Sequence, residues 1–374
     1  MFSLIIYLNK KMIDFGSTII NSIFGGALMA LASTLHLYLN GKITGISGAI
    51  FRCISLTDFS YNFAFITGML FMSSLIKVLF NPMAPPTDID APVFMETPAQ
   101  FVGDLSLIGF IIAGFLVGFG AKMGNGCTSG HGVCGIPRLS KRSIVAISLF
   151  MIFGILMATI RYYIPFLRPS SYAFNVWESS FIDIGMLVLS CVGFGANVFK
   201  VFKSGNKDKI RDISISFSVG ALFCFGLAES GMLQRHVVVE FLTLGKVWNY
   251  QLAFVLGAAV GINLITFNYL LKKTTRPKFR EAYDLPTKTE VDNKLCLGAA
   301  IFGLGWGMAG ICPGPAVITC YLYCPQILAF SIFLCLGMYI ENLIDGKIAE
   351  KINNNQLLSK VNKFAKFKNE QPIN

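Results

Sequence analysis

Nine apolar runs, each about as long as a bilayer is thick, occupy most of this 374-residue chain. They lie at about 15–39, 62–80, 101–121, 143–164, 181–202, 213–229, 249–271, 295–311 and 325–344. A hydrocarbon core about 30 Å deep takes roughly 20 apolar residues per helix. Inside it every backbone group must be satisfied internally, which restricts the chain to helices or a closed barrel, and runs this long are helical in period. Only 14% of residues are charged, where a soluble domain carries about a quarter. The 34 Phe and 36 Gly suit lipid-facing helices that pack closely through small residues. A disordered chain, a coiled coil, a collagen and a water-soluble enzyme are excluded. The fold class is all-α and polytopic.

Four further segments, 43–56, 124–137, 232–244 and 313–323, are too apolar for water and too short to cross. Each carries Gly, Ser, Pro or paired polar residues that break or cap a helix. Such backbone is tolerated at membrane depth only where protein covers it or it lines a cavity, so these segments read as re-entrant half-helices. The net charge of +11 sits mainly in the connectors 137–143, 200–212 and 272–294 and in the tail. That placement follows the positive-inside rule and contact with anionic lipid, not nucleic-acid binding. The connector 81–100 holds Asp88, Asp90 and Glu96 and no basic residue. Nine crossings then put the N-terminus outside and the C-terminus in the cytosol of a cell, with the plasma membrane as the expected location. Lys10 and Lys11 alone conflict with that orientation. The apolar stretch before them is too short for a signal peptide, and seven cysteines in or beside apolar segments argue against a secreted disulfide framework.

The pattern GxGxxMxxxC occurs twice, from Gly118 to Cys127 and from Gly303 to Cys312, at a constant offset of 185 residues. Each copy ends a crossing and runs into a re-entrant segment. The chain therefore divides into an N-terminal extension (1–14), a first repeat half (15–164), a linker with one odd crossing (165–212), a second half (213–344) and a basic, Asn- and Lys-rich tail expected to be disordered (345–374). An odd crossing between the halves inverts the second relative to the first, the architecture of many secondary transporters and channels.

The densest polar cluster within apolar sequence runs from Lys122 through Asn125, Cys127, Thr128, Ser129, Gly130 and His131 to Cys134. Polar groups at such depth are expensive and read first as functional. Thr128 or Ser129 can cap a half-helix whose positive end points into the membrane, an arrangement that attracts anions. In the second half Pro313, in Cys312-Pro313-Gly314-Pro315, favours a helix start just after Cys312. Thiols beside such ends are soft, weak donors and acceptors, suited to an anion carrying a soft atom, above all sulfur.

The run NGCTSGHGVCGIPRLSKRSIVA (125–146), with GLGWGMAGICPGPAVI (303–318), resembles the YeeE/YedE sulphur-transport family of membrane proteins. NGKITGISG (40–48) and FGLAESGM (225–232) fit as well. The resemblance spans about 20–345 and implies a permease, not an enzyme, that takes up thiosulfate or a related sulfur oxyanion through a narrow central path. It implies conserved thiols that make transient S–H contacts with the ion, and by motif these are Cys127 and Cys312. A third family cysteine is absent here: the matching stretch carries Thr44 and Ser47, and Cys53 is out of register. No cofactor is implied, and a cytosolic sulfur carrier or sulfurtransferase is a possible partner.

Alternatives stand beside these readings. Cys134 could pack structurally or belong to the path, and His131 could meet the ion, relay protons or hold loop carbonyls. Cys127, His131 and Cys134 also fit a CxxxHxxC metal pattern, for which no fourth ligand is evident. Lys122 could draw an anion or snorkel to the surface. Asn125 could support the loop, meet the ion or do both. Glu229 could take part in proton coupling or pair with Arg235. A membrane thiol relay, accepting sulfur as a persulfide on Cys127 or Cys134 and passing it to a sulfurtransferase, is the alternative function.

Overall fold

Helices account for the architecture. The computed structural model describes the backbone of residues 2–80, 105–164, 180–245, 248–321 and 325–369. The acidic connector 81–100 lies outside these residues. Up to residue 164 the chain forms α1 (Phe2–Asn40), the short α2 (Ile46–Ile54), α3 (Phe59–Phe80), α4 (Leu107–Met123), a wide π-type helix (Thr128–Gly135) with a 3-10 turn (Ile136–Arg138), and α5 (Lys141–Tyr163). After α6 (Ser180–Lys203) come α7 (Lys207–Glu229), the short α8 (Arg235–Leu242), α9 (Gln251–Lys273), α10 (Asn293–Ala309), the short α11 (Pro313–Thr319) and α12 (Gln326–Asn369). No β-strand occurs among the described residues; the one bridge pairs Lys42 with Asp284.

Seven of these helices are long and apolar enough to cross a membrane. The other two candidate crossings are bent pairs, α4 with the π-type segment at 46° and α10 with α11 at 43°. Local sequence explains several helix starts. Ser106, Ser140, Asn206 and Asp292 each accept a backbone N–H of the first turn they precede, satisfying donors that a helix start leaves open. The bends follow from left-handed residues at the breaks. Asn125 has φ 59° and Gly310 φ 70°, a conformation that Gly and Asn adopt most readily. These two positions are themselves 185 residues apart.

Packing is dominated by backbone contact at glycine. A Cβ on Gly118 would lie 1.9 Å from the Leu334 carbonyl oxygen of α12, and one on Gly303 would lie 2.9 Å from the Phe150 carbonyl oxygen of α5. A Cβ on Gly120 would meet Phe302 N of α10 at 2.4 Å, and one on Gly305 would meet Ala113 O of α4 at 2.8 Å. The two glycines of each motif copy thus do corresponding work: the first seats its helix on the last helix of the other half, the second joins α4 to α10. The same correspondence holds elsewhere. α3 meets α7 through Gly68 and Gly220, whose Cβ atoms would each fall 2.1 Å from a facing carbonyl, and α1 meets α9 at Gly26. Between α4, α5 and α10, Phe110, Phe150, Phe302 and Trp306 are at most 2% exposed, and the Phe150 and Phe302 rings lie 4.4 Å apart.

Two boundaries differ from the sequence reading. Residues 2–14 belong to α1 and are no separate extension. The tail is helical to Asn369; from Lys347 to Gln371 it contains no Gly or Pro, and its Leu, Lys, Gln and Ala residues favour helix, so polarity alone was a poor guide there.

The connector after α9 folds back as a strap. Lys278 N and Phe279 N donate to Tyr38 O and Leu39 O, and Asp284 N donates to Gly41 O at 2.8 Å. Its far end is tied by Asp292, which accepts from Leu295 N at 2.9 Å, from Lys288 Nζ at 2.8 Å and from Arg142 Nη1 at 3.1 Å. The Lys288 ammonium, with the Leu295 amide and Arg142, holds this carboxyl well below the usual carboxylate range, against the opposing effect of burial. A depressed folded pKa gives stability that is complete above the unfolded value, near pH 4, and is lost as pH falls below it. Asp292→Asn should therefore flatten the acid-side loss of thermal stability of the purified protein. A melting profile that overlays the wild type from about pH 6 to pH 3 would contradict this.

Candidate functional site

Three segment starts converge near the middle of the chain's packed core. Cys127 precedes the π-type helix with extended backbone (φ −124°), and Cys312 precedes α11 likewise (φ −85°). The two segments touch: the Thr128 hydroxyl donates to Cys312 Sγ at 3.3 Å. Cys127 is 1% exposed, and its Sγ shares a 3.2 Å hydrogen bond with Ser129 Oγ. That oxygen also accepts Ile46 N, the first amide of α2, at 3.2 Å. Gly130 lies against Gly45, and a Cβ on Gly314 would come 2.7 Å from Ile46 Cδ1. Small residues thus let α2, the π-type helix and α11 meet at two thiols and two hydroxyls.

The remaining residues singled out from sequence sit around this point. His131 is buried with both ring nitrogens engaged, Nδ1 with Ser143 Oγ at 3.1 Å and Nε2 with Gly124 O at 3.2 Å. A carbonyl can only accept, so Nε2 carries the proton and the imidazole ties the two ends of the loop together. The Cys134 thiol, fully buried, donates to Thr44 O at 3.3 Å. Cys127, His131 and Cys134 therefore face different partners, and no group of three His, Cys, Asp or Glu side chains placed to hold a metal ion occurs among the described residues. Thr44 itself is 1% exposed, its hydroxyl 2.8 Å from His36 Nδ1; Cys53 lies in the last turn of α2, far along from Thr44. Asn125 is exposed in its left-handed turn.

Several contributing residues were not legible as such. Arg161 and Arg235, 6% and 4% exposed, donate to Met308 O and Ala309 O at the C-terminal end of α10. Arg235, a pairing partner in one of the two sequence readings of Glu229, donates to this helix end, where a cation complements the negative pole. A cavity of about 1170 Å³ reaches from Gly45, Gly130 and His131 to the strap residues 284–290. Neither Cys127 nor Cys312 lines it. Lys42, Arg52, Lys122, Arg138, Lys141, Arg142 and Lys288 do, against only Asp284 and Glu290 among the described residues. Lys122, on the last turn of α4, places Nζ 4.0 Å from the centre of the Phe51 ring. Connector charge had indicated topology, and nothing in the sequence said that these cations would share one cavity.

The comparisons with known proteins bear on this geometry. The family described as sulphur transport matches residues 96–157, and a family of unknown function (DUF6691) matches residues 211–353. A probable transporter of Xylella fastidiosa strain Temecula1 is 36% identical over 132 residues, which cover 35% of this chain and 88% of that protein. A second probable transporter of the same strain is 39% identical over 137 residues, covering 37% of this chain and 90% of its own length. The chain belongs to the YeeE/YedE-like sulphur-transport family. As a member of that family it is an integral membrane protein with a transporter role. The 96–157 match contains α4, the π-type helix and most of α5.

Proposed function

We propose that this protein conducts a sulfur-containing oxyanion, thiosulfate or one closely like it, inward through the constriction between Cys127 and Cys312. The observation that carries the reading is the 3.3 Å contact from Thr128 to Cys312 Sγ. It joins two segments 185 residues apart in sequence, each opening with a thiol at a helix start. An ion there would meet S–H and O–H donors from Cys127, Cys312, Thr128 and Ser129, the amides of the first turns of α2 and the π-type helix, and, among the described residues, no carboxylate. Each donor to a charged group is worth roughly 1.5–3 kcal/mol. That is enough to replace part of the ion's hydration without a well so deep that the ion is trapped.

The two halves, 15–164 and 213–344, are read as inverted copies related by a pseudo-two-fold axis in the membrane plane. The matched helix pairings, the left-handed residues Asn125 and Gly310 and the equal roles of the motif glycines support this. So do relatives whose matched lengths, 132 and 137 residues, are close to that of one half. The basic connectors are assigned to the cytosol of the plasma membrane, with the N-terminus outside. The basic cavity is then the inner vestibule, from which a cytosolic sulfur carrier or sulfurtransferase collects the ion. In this scheme Gly130 and Gly314 permit close backbone approach, His131 and Cys134 hold the first hairpin, and Asn125 shapes its turn. Lys122 faces the departing ion. The burial of Cys127 and Cys134, 1% and 0% exposed, favours conduction over a persulfide relay, because a carrier protein cannot reach either thiol.

The test is uptake of sulfur-labelled thiosulfate into proteoliposomes, with sulfate and a selenium analogue as competitors. Saturable uptake, blocked by the analogue more strongly than by sulfate, is expected. Accumulation no faster than in protein-free liposomes would refute the proposal.

A further inference from the structure

The vestibule carries more positive charge than the carboxylates of the described residues neutralise. Lys42 pairs with Asp58 at 2.7 Å, and Arg142 and Lys288 pair with Asp292. Arg52, Lys122, Arg138 and Lys141 also line the cavity, and none of them has a carboxylate within salt-bridge distance among the described residues. They come from different segments: Arg52 from α2, Lys122 from the end of α4, Arg138 from the 3-10 turn and Lys141 from the start of α5. Lys141 and Arg142 stand in the first turn of a 23-residue helix, where cations oppose the positive pole of the macrodipole. A structure built only for stability would place carboxylates there. Like charges gathered around one cavity add their fields inside it.

We propose that this vestibule is a second anion site, taking a doubly charged tetrahedral oxyanion against Arg52, Lys122, Arg138 and Lys141, separate from the thiol constriction. The inference rests on the conduction reading only for its role, which is to receive the ion after the constriction and release it by exchange with cytosolic anions. The binding itself does not depend on that reading. A phosphate headgroup offers the same chemistry as the free ion.

Equilibrium dialysis of labelled thiosulfate against the full chain, in nanodiscs of zwitterionic lipid at low salt, tests the site. Two ions should bind per wild-type chain, and one to the variant carrying Arg52→Gln, Lys122→Gln and Lys141→Gln. Binding to the vestibule should weaken at least about threefold between roughly 50 and 300 mM KCl, because exposed cations are screened. Lys141→Gln alone, an exposed change at a helix start that leaves the fold intact, should weaken it severalfold. Lys141→Arg should not. Repeating the measurement with anionic lipid separates the sources: displacement of thiosulfate from the wild type alone assigns the site to a headgroup phosphate, and no displacement assigns it to the free ion. Equal stoichiometry and affinity in wild type, Lys141→Gln and the triple variant would overturn the proposal. If Cys312→Ala transports at the wild-type rate while the triple variant loses an ion, the constriction reading fails and the vestibule site stands.

Discussion

Replacing Cys312 by Ala should reduce thiosulfate uptake roughly ten- to 150-fold while the protein still reaches the membrane and elutes as a single folded species. The range is the loss of one donor to a charged ion at the barrier, about 1.5–3 kcal/mol, expressed as a rate. Cys312 accepts from Thr128 and stands where the second half meets the first. Its loss therefore removes the soft contact and frees the Thr128 hydroxyl to turn elsewhere. Cys312→Ser keeps a donor of similar shape and should fall between wild type and Ala. Initial rates of labelled uptake, normalised to reconstituted protein, decide the matter. Undiminished uptake by Cys312→Ala would remove the thiol from the path.

The second large effect is on folding. Gly118→Leu and Gly307→Leu should each lower the thermal stability of the detergent-purified protein severely or prevent its accumulation. A Cβ at Gly118 falls 1.9 Å from Leu334 O, and one at Gly307 falls 2.2 Å from Gly154 O. Both obstacles are backbone, so the helices themselves must separate. Overpacking against movable side chains costs about 1–3 kcal/mol, and here the cost should sit at or above the top of that range. Gly257→Leu is the control, since nothing lies within 4 Å of its Cβ position. Fluorescence-detected melting should show the first two variants well below the wild type and the third close to it. Equal losses in all three would mean that helix propensity, not close approach, is being measured.

The close-approach glycines also show how far the sequence could be read. The repeated GxGxxMxxxC pattern marked the two places where crossings break, and both broken helices are found there, bent by 46° and 43°. The reason the pattern repeats came only from the fold. Gly118 and Gly303 seat corresponding helices on the opposite half, Gly120 and Gly305 join α4 to α10, and Asn125 and Gly310 hold the same left-handed turn. The polar cluster around Cys127 was conspicuous because its composition clashes with its surroundings. The partition of roles within it was not. His131 spends both nitrogens on the loop and Cys134 its thiol on Thr44 O, facts that depend on where Ser143, Gly124 and residue 44 arrive in space.

Hydropathy run length by itself fixed that this chain is a bundle of membrane-crossing helices, because an apolar run of bilayer length has no other way to satisfy its backbone. Local chemistry fixed where those helices start and break. Tertiary structure alone decided that two thiol-bearing starts meet, that Arg161 and Arg235 hold the end of α10, and that cations from different segments surround one cavity. Those contacts join residues tens to hundreds of positions apart, and their energies depend on distances that no local pattern encodes.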